Sequence, residues 1–248
     1  MRSDTLARSR KRRKGYEVLC EAVFRPLAHP LVLVLARLRV PPPAVVVASG
    51  ATGIAGAVEL GRGSLVVAAI LVQLKTLLDN ADGQLARLTS RTSAFGRYLD
   101  SEVDLLVNAA LFAAIGWRYG EPLLAAAGFA ALTSILSLNF NVARLSSGAT
   151  STPDEDDGAA TTLLRRVYDV VYTPQDRLAE RLVARRPSLV SPTTVTVLAN
   201  LGMSSQLAVL GLFLVLGHPL GFAWLTIGEL AVITFALIPQ RAPVQETA

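Results

Sequence analysis

Four aspartates, Asp79, Asp82, Asp100 and Asp104, stand in one short stretch, DNADGQLARLTSRTSAFGRYLDSEVD, of a chain otherwise rich in Leu, Val and Ala. At about 100° per residue, Asp79, Asp82, Gly83, Ala86 and Arg87 share one face of a helix, with Lys75 a turn earlier on the same side. Gly96, Asp100 and Asp104 share one face of the next helix, and Glu102 points away from them. A tight link over 89–94 lets the two faces meet. Ligands that are all oxygen suit Mg²⁺ or Mn²⁺ rather than zinc. Gly83 and Ala86 leave room for a ligand near the backbone, and Arg87 offers a planar fork to phosphate oxygens. Metal-bound carboxylates beside a phosphate-binding Arg point to phosphoryl transfer, with one carboxylate free to take the proton of an attacking hydroxyl. The competing reading is structural, with the carboxylates salt-bridged to Lys75, Arg87, Arg91 and Arg97. An EF-hand is excluded, because the DxDxDG spacing and the closing Glu are missing.

The elements that carry these residues are read from composition. The chain has 248 residues, is 52% hydrophobic with only 6% aromatics, and has a mean hydropathy of +0.45. That places it in the membrane class and makes its apolar bulk aliphatic. Carboxylates at membrane depth cost roughly 2.5–3.5 kcal/mol each, so four unpaired ones would cost about 10 kcal/mol. A cation among them is therefore expected. Cys20 is the single cysteine, which excludes an intramolecular disulfide and offers no thiolate metal site.

The expected fold is all-α: a membrane bundle of six transmembrane helices with an N-terminal amphipathic interfacial helix. Residues 1–15 form a basic cytoplasmic tail, which suits anionic lipid rather than nucleic acid. The membrane domain runs over 16–240. Residues 16–39, interrupted by Pro26 and Pro30, lie along the interface. The spans fall at roughly 42–60, 64–88, 95–117, 122–144, 192–217 and 219–239. The 145–191 connection is cytoplasmic and contains an acidic run over 154–157 and an amphipathic helical stretch over 162–186. Thr173-Pro174 there reads as an N-cap followed by the first helical position. Residues 240–248 form a short tail. Lys and Arg gather on the side holding the N-terminus, Arg87, Arg91, Arg97 and the 145–191 connection. That puts both termini and the aspartates on the cytoplasmic side of the inner membrane. Glu59 lies near an interface, and Glu229 is deep enough to need a partner. Gly50-x-x-Gly53-x-x-Gly56 suits close helix packing and, as a sharper reading, a homodimer.

The pattern Asp79-x-x-Asp82-Gly83-x-x-Ala86-Arg87, eight residues, Gly96-x-x-x-Asp100-x-x-x-Asp104 resembles the complete signature of the CDP-alcohol phosphotransferase (phosphatidyltransferase) family. The six-span layout is similar to that family as well. The resemblance implies a phospholipid-biosynthesis enzyme that moves a phosphoalcohol from a CDP-linked donor to an alcohol or polyol (phosphate) acceptor and releases CMP. It implies Asp79, Asp82 and Asp100 as metal ligands, and Asp104 as general base and further ligand. Gly83, Ala86 and Arg87, with Asp79, Asp82 and Gly96, match positions at the CDP site. Gly96 also matches a position that allows close helix approach. Arg144 is a candidate contact for an anionic acceptor, and Lys75 is a second. The phosphatidylinositol-phosphate-forming branch resembles a Lys-Ala-Arg pattern at this place, where this chain has Val142-Ala143-Arg144. Residues 73–86 resemble the branch that joins CDP-inositol to inositol phosphate. CDP-diacylglycerol is the preferred donor, a soluble CDP-polyol such as CDP-inositol its rival. A cation channel or transporter lined by the aspartates is the alternative of another class.

Overall fold

A computed structural model describes residues 15–147 and 158–237. The basic run of the N-terminal tail, the acidic run at 154–157, the last residues of the sixth expected span and the C-terminal tail lie outside the described residues. Those described are helical throughout, with no strand among them. A π-helical turn, Cys20–Phe24, leads into α1 (Arg25–Arg37). Then follow α2 (Pro42–Arg62), α3 (Leu65–Leu88), α4 (Ala94–Tyr119), α5 (Pro122–Ser146), α6 (Ala159–Val171), α7 (Thr173–Arg185), α8 (Pro192–Ala199), α9 (Met203–Val215) and α10 (Pro219–Leu237).

Among the described residues, four stretches are long and apolar enough to cross a membrane: α2, α5, the run Pro192–Val215, and α10. Helices α3 and α4 are as long, but the motif's charges lower their hydropathy. Gly63 (φ 93°) and Gly120 (φ 70°) close α2 and α4 in the left-handed conformation, which glycine adopts without strain.

Helix α2 sets the position of the motif. It packs along both α3 and α4, whereas α3 and α4 are not themselves a closely packed pair. The two acidic faces therefore border a groove floored by α2. The small residues of α2 permit this close approach. A Cβ on Gly50 would lie 2.6 Å from Val103, one on Gly53 2.5 Å from Val107, and one on Gly56 3.4 Å from Leu71. The glycine stripe is thus consumed inside the chain. The packing reading of Gly50, Gly53 and Gly56 accounts for it, and the stripe is not available to a homodimer. Gly53→Ala should lower stability by about 1–3 kcal/mol through overpacking. A thermal melt of the detergent-solubilised protein checks this, and an unchanged midpoint would show that the α2–α4 contact is looser than described.

Around the groove, α5 packs on α4 and α10, α9 packs on α3, and α1 lies across α3. The main core joins Leu60, Val72, Leu111, Leu132, Leu210 and Phe222 from these helices. Helix α1 seats Ala28 and Val32 against Val45, Ala81 and Leu85. It also runs through the prolines expected to interrupt it. Pro26 follows directly on the π-helical turn, and Pro30 lies inside the helix.

The fifth expected span keeps its place as the run Pro192–Val215, with a break between α8 and α9 at residues 200–202. There the Asn200 side chain accepts from the Val18 N–H (2.9 Å) and donates to the Tyr16 carbonyl (2.8 Å), so the N-terminal segment docks into the break. Gly202 fits because a Cβ would lie 2.8 Å from the Ala199 carbonyl oxygen. Thr173 is not an N-cap. It is the first residue of α7, Tyr172 precedes it in helical conformation, and its hydroxyl donates to Asp169 (3.2 Å). Pro174 does occupy the first turn of α7.

Candidate active site

The chain between α3 and α4 is short because two local devices turn it. Ser90 takes the left-handed conformation (φ 55°), and the Arg91 N–H returns to the Ala86 carbonyl at 2.8 Å. Ser93 then caps α4, its hydroxyl accepting from the Gly96 N–H at 3.1 Å. The acidic face of α4 begins one turn later.

Across the groove, Asp79 and Asp82 from α3 meet Asp100 from α4, and each offers a carboxylate oxygen within 4.8 Å of the other two. Asp82 is buried, and among the described residues its Oδ2 has no hydrogen-bond partner. A buried carboxylate oxygen left without a donor is costly. A hard divalent cation shared with Asp79 and Asp100 satisfies it, so the residues present fit Mg²⁺ or Mn²⁺. Asp104 stands beside this trio. Its carboxylate is paired with the Lys75 ammonium, which also donates to Asp79 Oδ1 at 3.0 Å. Lys75, expected to touch an acceptor, is instead 1% exposed with its amine committed to these two carboxylates.

The positions expected to line a nucleotide site include three small residues, Gly83, Ala86 and Gly96. A Cβ on Gly83 would first meet the Arg87 guanidinium, at 3.2 Å, so the missing side chain gives Arg87 room over α3. A Cβ on Gly96 would meet nothing within 4 Å but the Ser93 hydroxyl. Among the described residues no other helix comes within 4 Å of that Cβ, so the small size of Gly96 opens space at the start of α4 rather than serving close helix packing. Ala86 and Arg87 lie half-buried one turn beyond Gly83.

Helices α6 and α7 form a hairpin against the ends of α4 and α5 that adjoin the motif. Tyr98 and Tyr168 meet edge to face at 5.4 Å, and Tyr168 and Tyr172 lie 4.8 Å apart. The Tyr172 hydroxyl donates to the Ser101 carbonyl at 3.3 Å. Burial, then the nearby Glu102 carboxylate, pushes the Tyr172 phenol above its ordinary range, and burial pushes Tyr168 up to about 12. Both phenols stay protonated at neutral pH and act as donors. Glu102 thus lies near Tyr172 of the hairpin, and it is not one of the three carboxylates that converge.

Arg144, at the end of α5, donates to Glu180 of α7 (2.8 Å) and to Asn141 (2.9 Å). Asn141 in turn donates to Asp176 (2.7 Å). Asp176 and Glu180 are absent from the sequence-based site, and their pairing across 35 and 36 residues of chain leaves no periodic signal. Glu59 pairs with Arg62 at 2.9 Å, and Glu229 accepts from Gln206 at 2.7 Å. Glu229 thereby gains the partner that its depth requires.

Comparison with known proteins locates this architecture. The family model described as CDP-alcohol phosphatidyltransferase matches residues 27–184, which contain most of α1, all of α2 to α6, nearly all of α7, and every aspartate of the groove. The chain is 32% identical over 107 residues to a bifunctional IPC transferase and DIPP synthase of Rubrobacter xylanophilus, covering 43% of this chain and 24% of that protein. It is 32% identical over 100 residues to a phosphatidylinositol phosphate synthase of Mycobacterium marinum, covering 40% and 43%. A protein of the same name from Streptomyces avermitilis is 34% identical over 99 residues, covering 40% and 41%. The matched stretch is thus less than half the length of each relative.

Proposed function

Because the chain belongs to the CDP-alcohol phosphatidyltransferase family, we propose that it transfers a phosphatidyl group from CDP-diacylglycerol to a hydroxyl of a polyol or polyol phosphate. It does so as a six-span protein of the inner membrane, with its termini and groove facing the cytoplasm. The family makes it a transferase of substituted phosphate groups, and this sets aside the channel reading.

In the proposed reaction the acceptor oxygen attacks the phosphorus that carries the donor's alcohol. The phosphoanhydride bond breaks, CMP leaves with that bond's electron pair, and a phosphodiester forms. Asp104 takes the acceptor's proton. Asp79, Asp82 and Asp100 would hold the divalent ion, which when bound supplies Lewis-acid stabilisation of the pyrophosphate charge. Arg87, with Gly83 and Ala86 giving it space, binds the phosphates, and Gly96 leaves room beside them. Arg144 remains the proposed contact for an anionic acceptor, which has to compete with the Glu180 carboxylate for it.

The observation that carries the reading is the carboxylate trio with its orphaned buried oxygen, set beside a fourth carboxylate outside it. A lipid donor is supported by the surroundings of that cluster. Leu74 and Leu106, in the same helical turns as Lys75 and Asp104, are exposed apolar residues against which acyl chains can lie. The relatives named phosphatidylinositol phosphate synthase agree with a phosphatidyl donor. The relatives named IPC transferase and DIPP synthase favour the second reading, a soluble CDP-polyol joined to a polyol phosphate.

Purified protein with Mg²⁺ or Mn²⁺, given labelled CDP donors and a panel of polyols and polyol phosphates, separates the two. The first reading predicts CMP release from CDP-diacylglycerol and a product that extracts into organic solvent. Turnover of CDP-inositol alone, with a water-soluble product, would establish the second. No CMP from any donor would contradict both.

A further inference from the structure

Four carboxylates facing one groove are enough to hold two divalent ions, the arrangement of two-metal phosphoryl-transfer sites. Here one corner of the cluster is already filled by a side chain of the protein. The Lys75 stem lines an apolar slot together with Gly53, Val72, Val107, Leu111 and Leu207, from α2, α3, α4 and α9. Gly53 makes the slot passable, since a Cβ there would stand 3.1 Å from Lys75 Cγ. The backbone is pinned as well, with the Ser49 hydroxyl donating to the Lys75 carbonyl at 3.2 Å. The slot delivers the ammonium between Asp79 on its own helix and Asp104 on the other.

We propose that Lys75 takes the place of a second divalent ion, so that the groove of this chain binds a single divalent cation at Asp79, Asp82 and Asp100. The inference rests on the metal reading given above and goes beyond it. Three observations carry it. The oxygens close enough to share one ion come from those three residues, and Asp104 is not among them. The oxygens of Asp79 and Asp104 that face each other are engaged by a fixed cation, and a divalent ion there would meet a like charge at hydrogen-bond range. A buried ammonium without carboxylate partners would be strongly disfavoured, so the pairing persists when the trio is loaded. Lys75 is then a positioning residue. It holds Asp104 beside the metal rather than on it, where the carboxylate is free to accept the acceptor's proton.

The test counts Mn²⁺ on the full-length, detergent-solubilised protein by equilibrium binding, and reads the low-temperature electron paramagnetic resonance of the loaded sample. The wild type should bind one Mn²⁺ per chain with the hyperfine pattern of an isolated ion. Lys75→Met should bind two, with an exchange-coupled spectrum, and Lys75→Arg should return to one. Two coupled ions in the wild type, or one ion in Lys75→Met, would overturn the proposal. Should Lys75→Met fail to fold, the wild-type count decides alone. A wild type that binds no Mn²⁺ at all would instead bring down the metal reading on which the proposal stands.

Discussion

Asp82→Asn should abolish saturable Mn²⁺ binding and reduce CMP release by about a thousandfold or more, while the metal-free protein melts no lower than the wild type. The activity loss follows from geometry. Asp82 is the most buried member of the trio, and its Oδ2 has no hydrogen-bond donor within the described residues. Removing the charge from a ligand so placed takes away the reason for a divalent ion to enter. Losing about 4 kcal/mol of transition-state stabilisation corresponds to about a thousandfold in rate. The stability result has the opposite sign because the metal-free cluster is repulsive. Asp82 shares the groove with the Asp79 and Asp100 carboxylates, and a neutral amide of the same shape relieves that repulsion. Calorimetry with and without Mn²⁺ checks both halves. A variant that still binds Mn²⁺ with wild-type affinity would remove Asp82 from the ligand set.

Asp104→Asn should behave differently. Its expected effect is a fall in kcat of about 10²- to 10⁴-fold, the usual range for loss of a general base. Mn²⁺ binding should be retained, because Asp79, Asp82 and Asp100 are untouched, and KM for the CDP donor should change little. Lys75 keeps one ion-pair partner, Asp79, so the variant should fold. Steady-state kinetics beside a Mn²⁺ titration separate the two variants. Loss of the ion in Asp104→Asn would make Asp104 a ligand, and wild-type turnover would end its role as base.

The contrast between these residues shows what is legible in the sequence. The 3.6-residue period places Asp79 and Asp82 on one face, Asp100 on the facing helix, Lys75 a turn before them, and Glu102 outside the set. The structure keeps all of that. The first-turn position of Pro174 in α7 is legible too, whereas the cap expected at Thr173 is not, because Tyr172 precedes it in helical conformation. The rest depends on contacts between distant segments. Lys75 lies on the expected face, yet its burial is set by Gly53 on another helix. Arg144 lies at the expected helix end, yet its partner Glu180 arrives on the α6–α7 hairpin. The fifth span reads as one uncharged run, and it breaks because Asn200 has backbone partners at Tyr16 and Val18. The glycine stripe on α2 is plain in the sequence, but whether it meets its own chain or a second copy is not a local property.

The claim at the centre of this account is that α3 and α4 share a divalent ion that grips a pyrophosphate. Pulsed electron paramagnetic resonance on Mn²⁺-loaded protein in lipid nanodiscs, with CDP added and free ligand and metal washed out, addresses it directly. The account predicts ³¹P hyperfine coupling to protein-bound Mn²⁺ in the wild type and its absence in Asp82→Asn. Bound Mn²⁺ with no ³¹P coupling, although CDP is retained by the protein, would contradict it.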